Sequence, residues 1–240
     1  RMGGNALEGE YLRRQVMDMR SIEPDQIYDL LLSGADNLSA EELEQTRFLL
    51  SKDPTNLELR AILLGADYLN SFSDEAAMTR KMEQILWIVE KAPDSALAGS
   101  YAMMAFEDSE HKGRFDLLRR TWLKQMKKKS RNPSVFRNAG QFFQYNDRNQ
   151  ALDCYRKAVK LDPNRWRWWE ELGDFLRHGS NFREAYEAYL NGLGAHSRNL
   201  PRKRLHSKAA MSALNAGLRE EAGREARAAL DEKPQPFNFF

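Results

Sequence analysis

The sequence predicts an all-α fold, a right-handed α-solenoid of helical hairpins. Two observations carry this. Leu, Ala, Glu, Arg, Lys and Met abound while β-branched residues are sparse, a composition that favours helix. Second, residue types recur at a fixed interval: Ala139 and Gly173, Ala151 and Ala185, and Tyr155 and Tyr189 are each 34 positions apart. A third copy follows, with Ala210, Ala222 and Ala226 lying 37 positions beyond Gly173, Ala185 and Tyr189, the excess fitting an insertion near Leu200–Arg202. A period of this size marks a stack of helix pairs, each burying its apolar face against its neighbours.

Taken in order, "SAEELEQTRFLLSKDP" opens with a capping box at Ser39 and Glu42 and stops at Pro54. "LELRAILLGADYL" reads as a first helix with Leu64, Gly65 and Tyr68 in the repeating slots, and "DEAAMTRKMEQILWIVEKAP" as an overlong second helix. "YAMMAF…KGRFDLLRRTWLKQM" keeps Gly113, Phe115, Leu118 and Trp122 in phase, although Phe106 stands where a small residue is usual. Regular copies then occupy 132–165, 166–199 and 203–234. The expected organisation is degenerate hairpins over 1–98, repeats over 99–131, 132–165, 166–199 and 203–234, and a tail at 235–240. A competing division makes 1–98 a separate irregular helical lobe.

The middle copy reads Trp169-x-x-Leu172-Gly173-x-x-Leu176, then Ala185-x-x-x-Tyr189 and Gly192. Ala139, Phe142, Ala151, Tyr155, Ala158 and Pro163 fall on the same positions in the preceding copy, and Ala209, Ala210, Ala222, Ala226, Ala229 and Pro234 in the last. This pattern resembles the tetratricopeptide repeat. Small residues let the two helices of a pair approach, large ones fill the gap to the next pair, and Pro ends the second helix. "DPTNLELRAILLGADYL…ILWIVEKAPDS" is also similar to uncharacterised bacterial repeat proteins, some of them exported, over a short stretch without functional content.

Three of the five tryptophans crowd into "RWRWWEELGDFL". Trp169 takes the large-residue slot, so its truncation is expected to cost on the order of 3–5 kcal/mol, against about 1 kcal/mol for Trp168. For Trp166 and Trp168 two readings stay open, packing against the preceding hairpin or a ligand surface.

Function classes narrow by elimination. Apolar residues are 42% and charged ones 30%, with a net charge of +2, an ordinary globular balance. The charge is polarised: residues 1–98 sum to −8 and 99–240 to +10. No apolar run is long enough to span a membrane. The first residue is Arg1, which leaves room for an upstream signal or anchor, so the compartment stays unassigned. No phosphate-binding glycine loop, nucleophile elbow or zinc motif appears, and His111, His178, His196 and His206 form no ligating pair. The lone Cys154 reads as a buried helix residue. The expectation is a non-enzymatic protein with no metal and no cofactor.

The tetratricopeptide resemblance implies that a peptide or partner segment lies in a concave groove lined by the first helices. Carried across residue by residue, that groove holds Phe136, Gly140, Phe143 and Gln144; then Arg167, Glu170, Asp174, Arg177 and His178; then Arg204, Ser207, Met211, Leu214 and Asn215. The family's carboxylate-gripping subtype is not implied, because Phe136 and Gly140 stand where its Lys and Asn belong. An alternative partner is nucleic acid, through "RRTWLKQMKKKSR", "RWRWW" and "RKRLHSK". The tail "PQPFNFF", with Phe237, Phe239 and Phe240, is expected to cover the end of the array or to pair two copies as a homodimer.

Overall fold

A computed structural model describes residues 31, 38–103, 105, 112–197 and 199–232. The described residues form ten α-helices, two short 3₁₀ turns and no strand. They divide into two compact units, one ending at Ser130 and the other beginning at Arg131. Phe106, His111, Pro234 and the phenylalanines of the tail lie outside the described residues.

The first unit contains α1 (Ala40–Lys52), α2 (Leu57–Asn70), α3 (Glu75–Lys91) and α4 (Lys112–Lys128). The predicted capping box is formed: the Ser39 hydroxyl accepts from the Glu42 N–H at 3.3 Å, and the Glu42 carboxylate accepts from the Ser39 N–H at 2.8 Å. The Asn56 side chain caps α2 by accepting from the Glu58 and Leu59 N–H groups, and the Asp74 side chain caps α3 by accepting from the Ala76 N–H. Residues 97–103, where the sequence suggested the start of another first helix, make two 3₁₀ turns instead.

The two helices of the α2–α3 hairpin interlock through large cations. Arg60 stacks on Trp87 at 3.6 Å and donates to Gln84, and Arg80 reaches the buried Asp67 at 2.9 Å. Lys81 is buried with its ammonium 4.8 Å from the Tyr68 ring centre. Between α3 and α4, Arg114 donates to Thr79, Gln125 to the Glu90 carbonyl and Lys129 to Asp94, each pair 35 positions apart. The repeat spacing therefore persists here, and Phe115, Leu118 and Trp122 are buried as the pattern requires.

The second unit is three hairpins: α5 (Pro133–Phe143) with α6 (Arg148–Leu161), α7 (Trp166–His178) with α8 (Phe182–Leu193), and α9 (Arg202–Asn215) with α10 (Arg219–Asp231). They pack in chain order, α6 against α7 and α8 against α9 as well as within each pair. In each first helix the core takes four positions: Val135, Ala139, Phe142 and Phe143; then Trp168, Leu172, Phe175 and Leu176; then Leu205, Ala209, Ser212 and Ala213. The first two sets are 33 positions apart and the last two 37.

The glycines mark the same register. A Cβ on Gly173 would stand 2.5 Å from the Tyr189 ring, and one on Gly140 would stand 3.0 Å from the Tyr155 ring. Gly140, rather than Ala139, is thus the counterpart of Gly173. The second helices keep the expected interval, with Ala151, Ala185 and Ala222 all buried. The difference sits in the turn between the helices. The second and third hairpins carry one residue in the left-handed region there, Ser180 (φ 61°) and Gly217 (φ 79°), and the first hairpin has none. Counted from the first-helix glycine to the second-helix alanine, the first hairpin is one residue shorter, Gly140 to Ala151 against Gly173 to Ala185, which slips α5 by one position against the sequence alignment.

Candidate peptide-binding groove

That slip decides which side chains of α5 share a face with the predicted groove residues of α7. Phe143 is fully buried and Phe136 is 8% exposed, so both are core residues of the first hairpin, and Gly140 is closed off beneath Tyr155. The counterparts of Arg167, Glu170, Asp174, Arg177 and His178 at the 33-residue interval are Ser134, Arg137, Gln141, Gln144 and Tyr145. Gln144 stays on the face and Tyr145 joins it, 56% exposed. The sequence signal for this was present but subtle: Gly140, three positions before Phe143, is the only glycine in that helix.

Along this face the first helices are stitched together by charges reaching from one repeat to the next. Arg137 donates both guanidinium arms to Glu171 at 2.7 Å. The buried Glu170 accepts a hydrogen bond from Arg204 at 2.8 Å and forms ion pairs with the Arg204 Nε at 2.7 Å and the Lys208 ammonium at 2.8 Å. Asp174 accepts from Lys208 at 2.6 Å and from the Tyr189 hydroxyl at 2.8 Å. Burial, with the neighbouring Asp174 carboxylate second, drives the Tyr189 pKa well above the ordinary phenol range, so this hydroxyl remains a donor. The His178 imidazole lies 2.6 Å from the Asp174 carbonyl. The acidic residues predicted to give the groove a mixed-charge centre are therefore already matched within the protein.

What stays exposed is of a different character. Met211 and Leu214 on α9 are 57% and 58% exposed, and Arg204, Ser207 and Asn215 are open to solvent beside them. Arg167 and Arg177 are half-buried. The face thus presents apolar side chains at both ends, Tyr145 and then Met211 with Leu214, and cations between them.

The tryptophans fall differently from the sequence expectation. Trp168 is 5% exposed and takes the core slot shared with Val135 and Leu205. Trp169 is half-buried and its indole N–H donates to the Pro163 carbonyl at 2.8 Å. This does not rotate the helix, because Gly173 meets Tyr189 as the repeat requires. The motif slot of Trp169 is simply the one that faces a cleft. That cleft, about 410 Å³, lies between α6 and α8, with Val159, Leu172, Leu176 and Ala188 among its walls and the Arg156–Glu184 ion pair bridging its rim. Trp166, the third of the cluster, lies 5.5 Å from both the Arg167 and the Arg204 guanidinium groups.

Of the patches named for nucleic acid, the most basic one is not an aromatic platform. Trp122 in "RRTWLKQMKKKSR" is 1% exposed and Lys129 is paired with Asp94 at 2.9 Å. Burial pushes the Cys154 thiol up to about 12, far from a reactive thiolate. Among the described residues no group of three or more His, Cys, Asp or Glu could hold a metal ion, and no helix is long and apolar enough to cross a membrane.

No protein-family model matches the chain. A peroxisomal targeting signal receptor of Kluyveromyces lactis is 26% identical over 186 residues, which is 75% of this chain and 31% of the receptor. The chain thus spans about a third of the length of the curated relative it matches. Among solved structures it is similar to the MamA protein, at 16% identity and a TM-score of 0.46, covering 82% of this chain and 100% of the other. It is also similar to BtubC from P. vanneervenii, at 15% identity and a TM-score of 0.46, covering 87% and 94%. Pseudomonas aeruginosa pilF gives 17% identity and a TM-score of 0.43, covering 83% and 89%. By its own geometry, the second unit is a stack of three helical hairpins in phase, with a first-helix glycine under a second-helix tyrosine in two of them, and it resembles the tetratricopeptide repeat.

Proposed function

We propose that the chain is a non-enzymatic scaffold that binds a protein segment along the first-helix face of residues 131–240. The observation that carries this reading is the division of labour on that face. Its carboxylates are spent on ion pairs between repeats, while Tyr145, Met211 and Leu214 stay exposed where a polypeptide with apolar side chains can lie against them. Bridges such as Arg137–Glu171 hold neighbouring helices in place, so the surface is preorganised for binding. Similarity to a protein named as a targeting signal receptor supports the same class of function.

The test is capture of partners by the immobilised chain, compared with a Met211→Ser/Leu214→Ser variant. Both side chains are exposed, so the helical circular dichroism should be unchanged while capture of the specific partner is lost. Equal capture by both proteins would remove the face from consideration.

A further inference from the structure

Each of the first two second helices of the array is covered by the first helix that follows it. On α6, Tyr155 is buried and its ring lies 5.3 Å from that of Phe175 on α7. On α8, Tyr189 is fully buried, with the Lys208 ammonium of α9 5.9 Å from its ring. A Cβ on Gly192 of α8 would stand 3.8 Å from Leu205 of α9. Among the described residues no helix follows α10. The 37-residue interval carries Tyr189 to Ala226, Leu193 to Leu230 and Asp174 to Met211. Ala226 and Met211 are exposed, and Leu230 is 81% exposed. The third hairpin also lacks a ring that the other two possess. Tyr155 lies over Gly140 and Tyr189 over Gly173, whereas the corresponding pair here is Ala226 and the half-buried Ala210.

An uncovered apolar seam with a ring missing suits an aromatic occupant, and the next residues of the chain supply three. Residues 233–240 read KPQPFNFF and follow Glu232, which is two positions from Leu230. Pro234 and Pro236 lack the N–H that would prolong α10. From Leu230 back to Ala226 is about 6 Å along the helix at its usual rise. The four residues 237–240, extended, span about 13 Å, so a chain that turns at the prolines covers the whole seam. We propose that this tail folds back over the α9–α10 hairpin of its own chain. A phenylalanine ring then lies against Ala226 and Ala210 in place of the absent tyrosine, and Leu230 is withdrawn from water. The short connection favours the tail of the same chain over that of a second copy, because it holds the aromatics at high effective concentration beside the seam. The proposal goes beyond the partner-binding reading and shares only Met211 with it, so its test is made on Ala226 and Leu230.

That test is disulfide trapping in the full chain, where Cys154 is buried and does not interfere. Ala226→Cys/Phe239→Cys should close a bridge within one chain, since bridging needs close approach of the two Cα atoms. Arg224→Cys/Phe239→Cys is the comparison: Arg224 lies on the same helix but corresponds to Glu187, which is exposed on α8. The first pair should link at least about tenfold faster than the second, and adding Leu230→Ser should slow it. Equal rates for the two pairs would overturn the proposal, as would linkage indifferent to Leu230→Ser. A covalent dimer whose yield grows with concentration would overturn it in favour of tails exchanged between two copies. Thermal unfolding without introduced cysteines gives a second reading. Phe237→Ser/Phe239→Ser/Phe240→Ser should lower the midpoint of the wild-type chain more than that of the Leu230→Ser chain, and equal falls would overturn the proposal.

Discussion

Replacing Trp168 with alanine should destabilise the second unit more than replacing its neighbour Trp169. Trp168 is 5% exposed and fills the slot that Val135 and Leu205 fill, both fully buried, in the flanking hairpins. Truncating a tryptophan there removes a large packed volume that the surrounding helices cannot refill, and the cost is on the order of 3–5 kcal/mol. Trp169 is half-buried and faces the cleft between α6 and α8, so its removal enlarges a space already open to water. Its main specific loss is the hydrogen bond to the Pro163 carbonyl at 2.8 Å, and the total should be about 1–2 kcal/mol. Denaturant unfolding followed by far-ultraviolet circular dichroism reads the midpoint and slope of both variants against the wild type. In a stack where each hairpin touches only its neighbours, the Trp168 loss should also broaden the transition, since 131–240 weakens locally. If Trp169→Ala lowers the midpoint further than Trp168→Ala, the assignment of core slots in α7 is wrong, and with it the 33- and 37-residue intervals.

The one-residue slip of α5 has its own check: Phe143→Ala should cost on the order of 3–5 kcal/mol, whereas Gln144→Ala should stay within about 0.5 kcal/mol, and comparable losses would refute the slip. Ser180 holds the left-handed conformation (φ 61°) that Gly217 holds in the next turn, so Ser180→Gly should raise stability by about 0.5–1 kcal/mol, with a fall in thermal midpoint as the contrary result. Gly173→Ala should lower stability by about 1–3 kcal/mol, because its methyl would meet the Tyr189 ring at 2.5 Å, and an unchanged midpoint would show that the ring yields. Burial lowers the Lys81 ammonium to about 8 from its usual 10.5, so between those values the unfolded chain holds the proton that the folded chain has lost. Stability should therefore rise with pH across that window and carry the full penalty of about 3 kcal/mol below it. Lys81→Met should be the more stable protein at neutral pH, with the gap closing towards pH 10.5; a gap independent of pH would sink this account.

The helical architecture was legible because it is written redundantly. Buried alanines of the second helices recur at the repeat interval, Tyr155 and Tyr189 recur in two of them, and caps such as Ser39, Asn56 and Asp74 carry their own local chemistry. Each signal survives the loss of another. The first-helix register in 132–165 was less secure because it hangs on the length of a single turn, and the sequence holds both Ala139 and Gly140 as candidates for one small-residue slot. Only the close approach of Tyr155 to Gly140 separates them. A helix advances about 100° per residue, so an error of one position turns Phe136 and Phe143 from groove residues into core and brings Arg137 and Tyr145 onto the face.

The same reasoning explains why the tryptophan cluster resisted interpretation from sequence alone. Three identical side chains within four positions point to three sides of a helix, and each side meets a different environment: core for Trp168, a cleft edge for Trp169, a cation cluster for Trp166. Repeat periodicity identifies a motif slot but not how completely the next hairpin covers it. Coverage depends on distant residues such as Arg204, which the 37-residue interval places opposite Arg167 and which reaches across to both Glu170 and Trp166. The charges behave likewise. Glu170 and Asp174 read as acidic groove residues while α7 is considered alone. Set beside α9, they become the anchors of Arg204 and Lys208, and the charge left facing solvent changes sign. In an array of this kind the binding chemistry of one helix is set by the side chains its neighbour lends or withdraws, so the ligand class follows from pairs of repeats and not from any single motif.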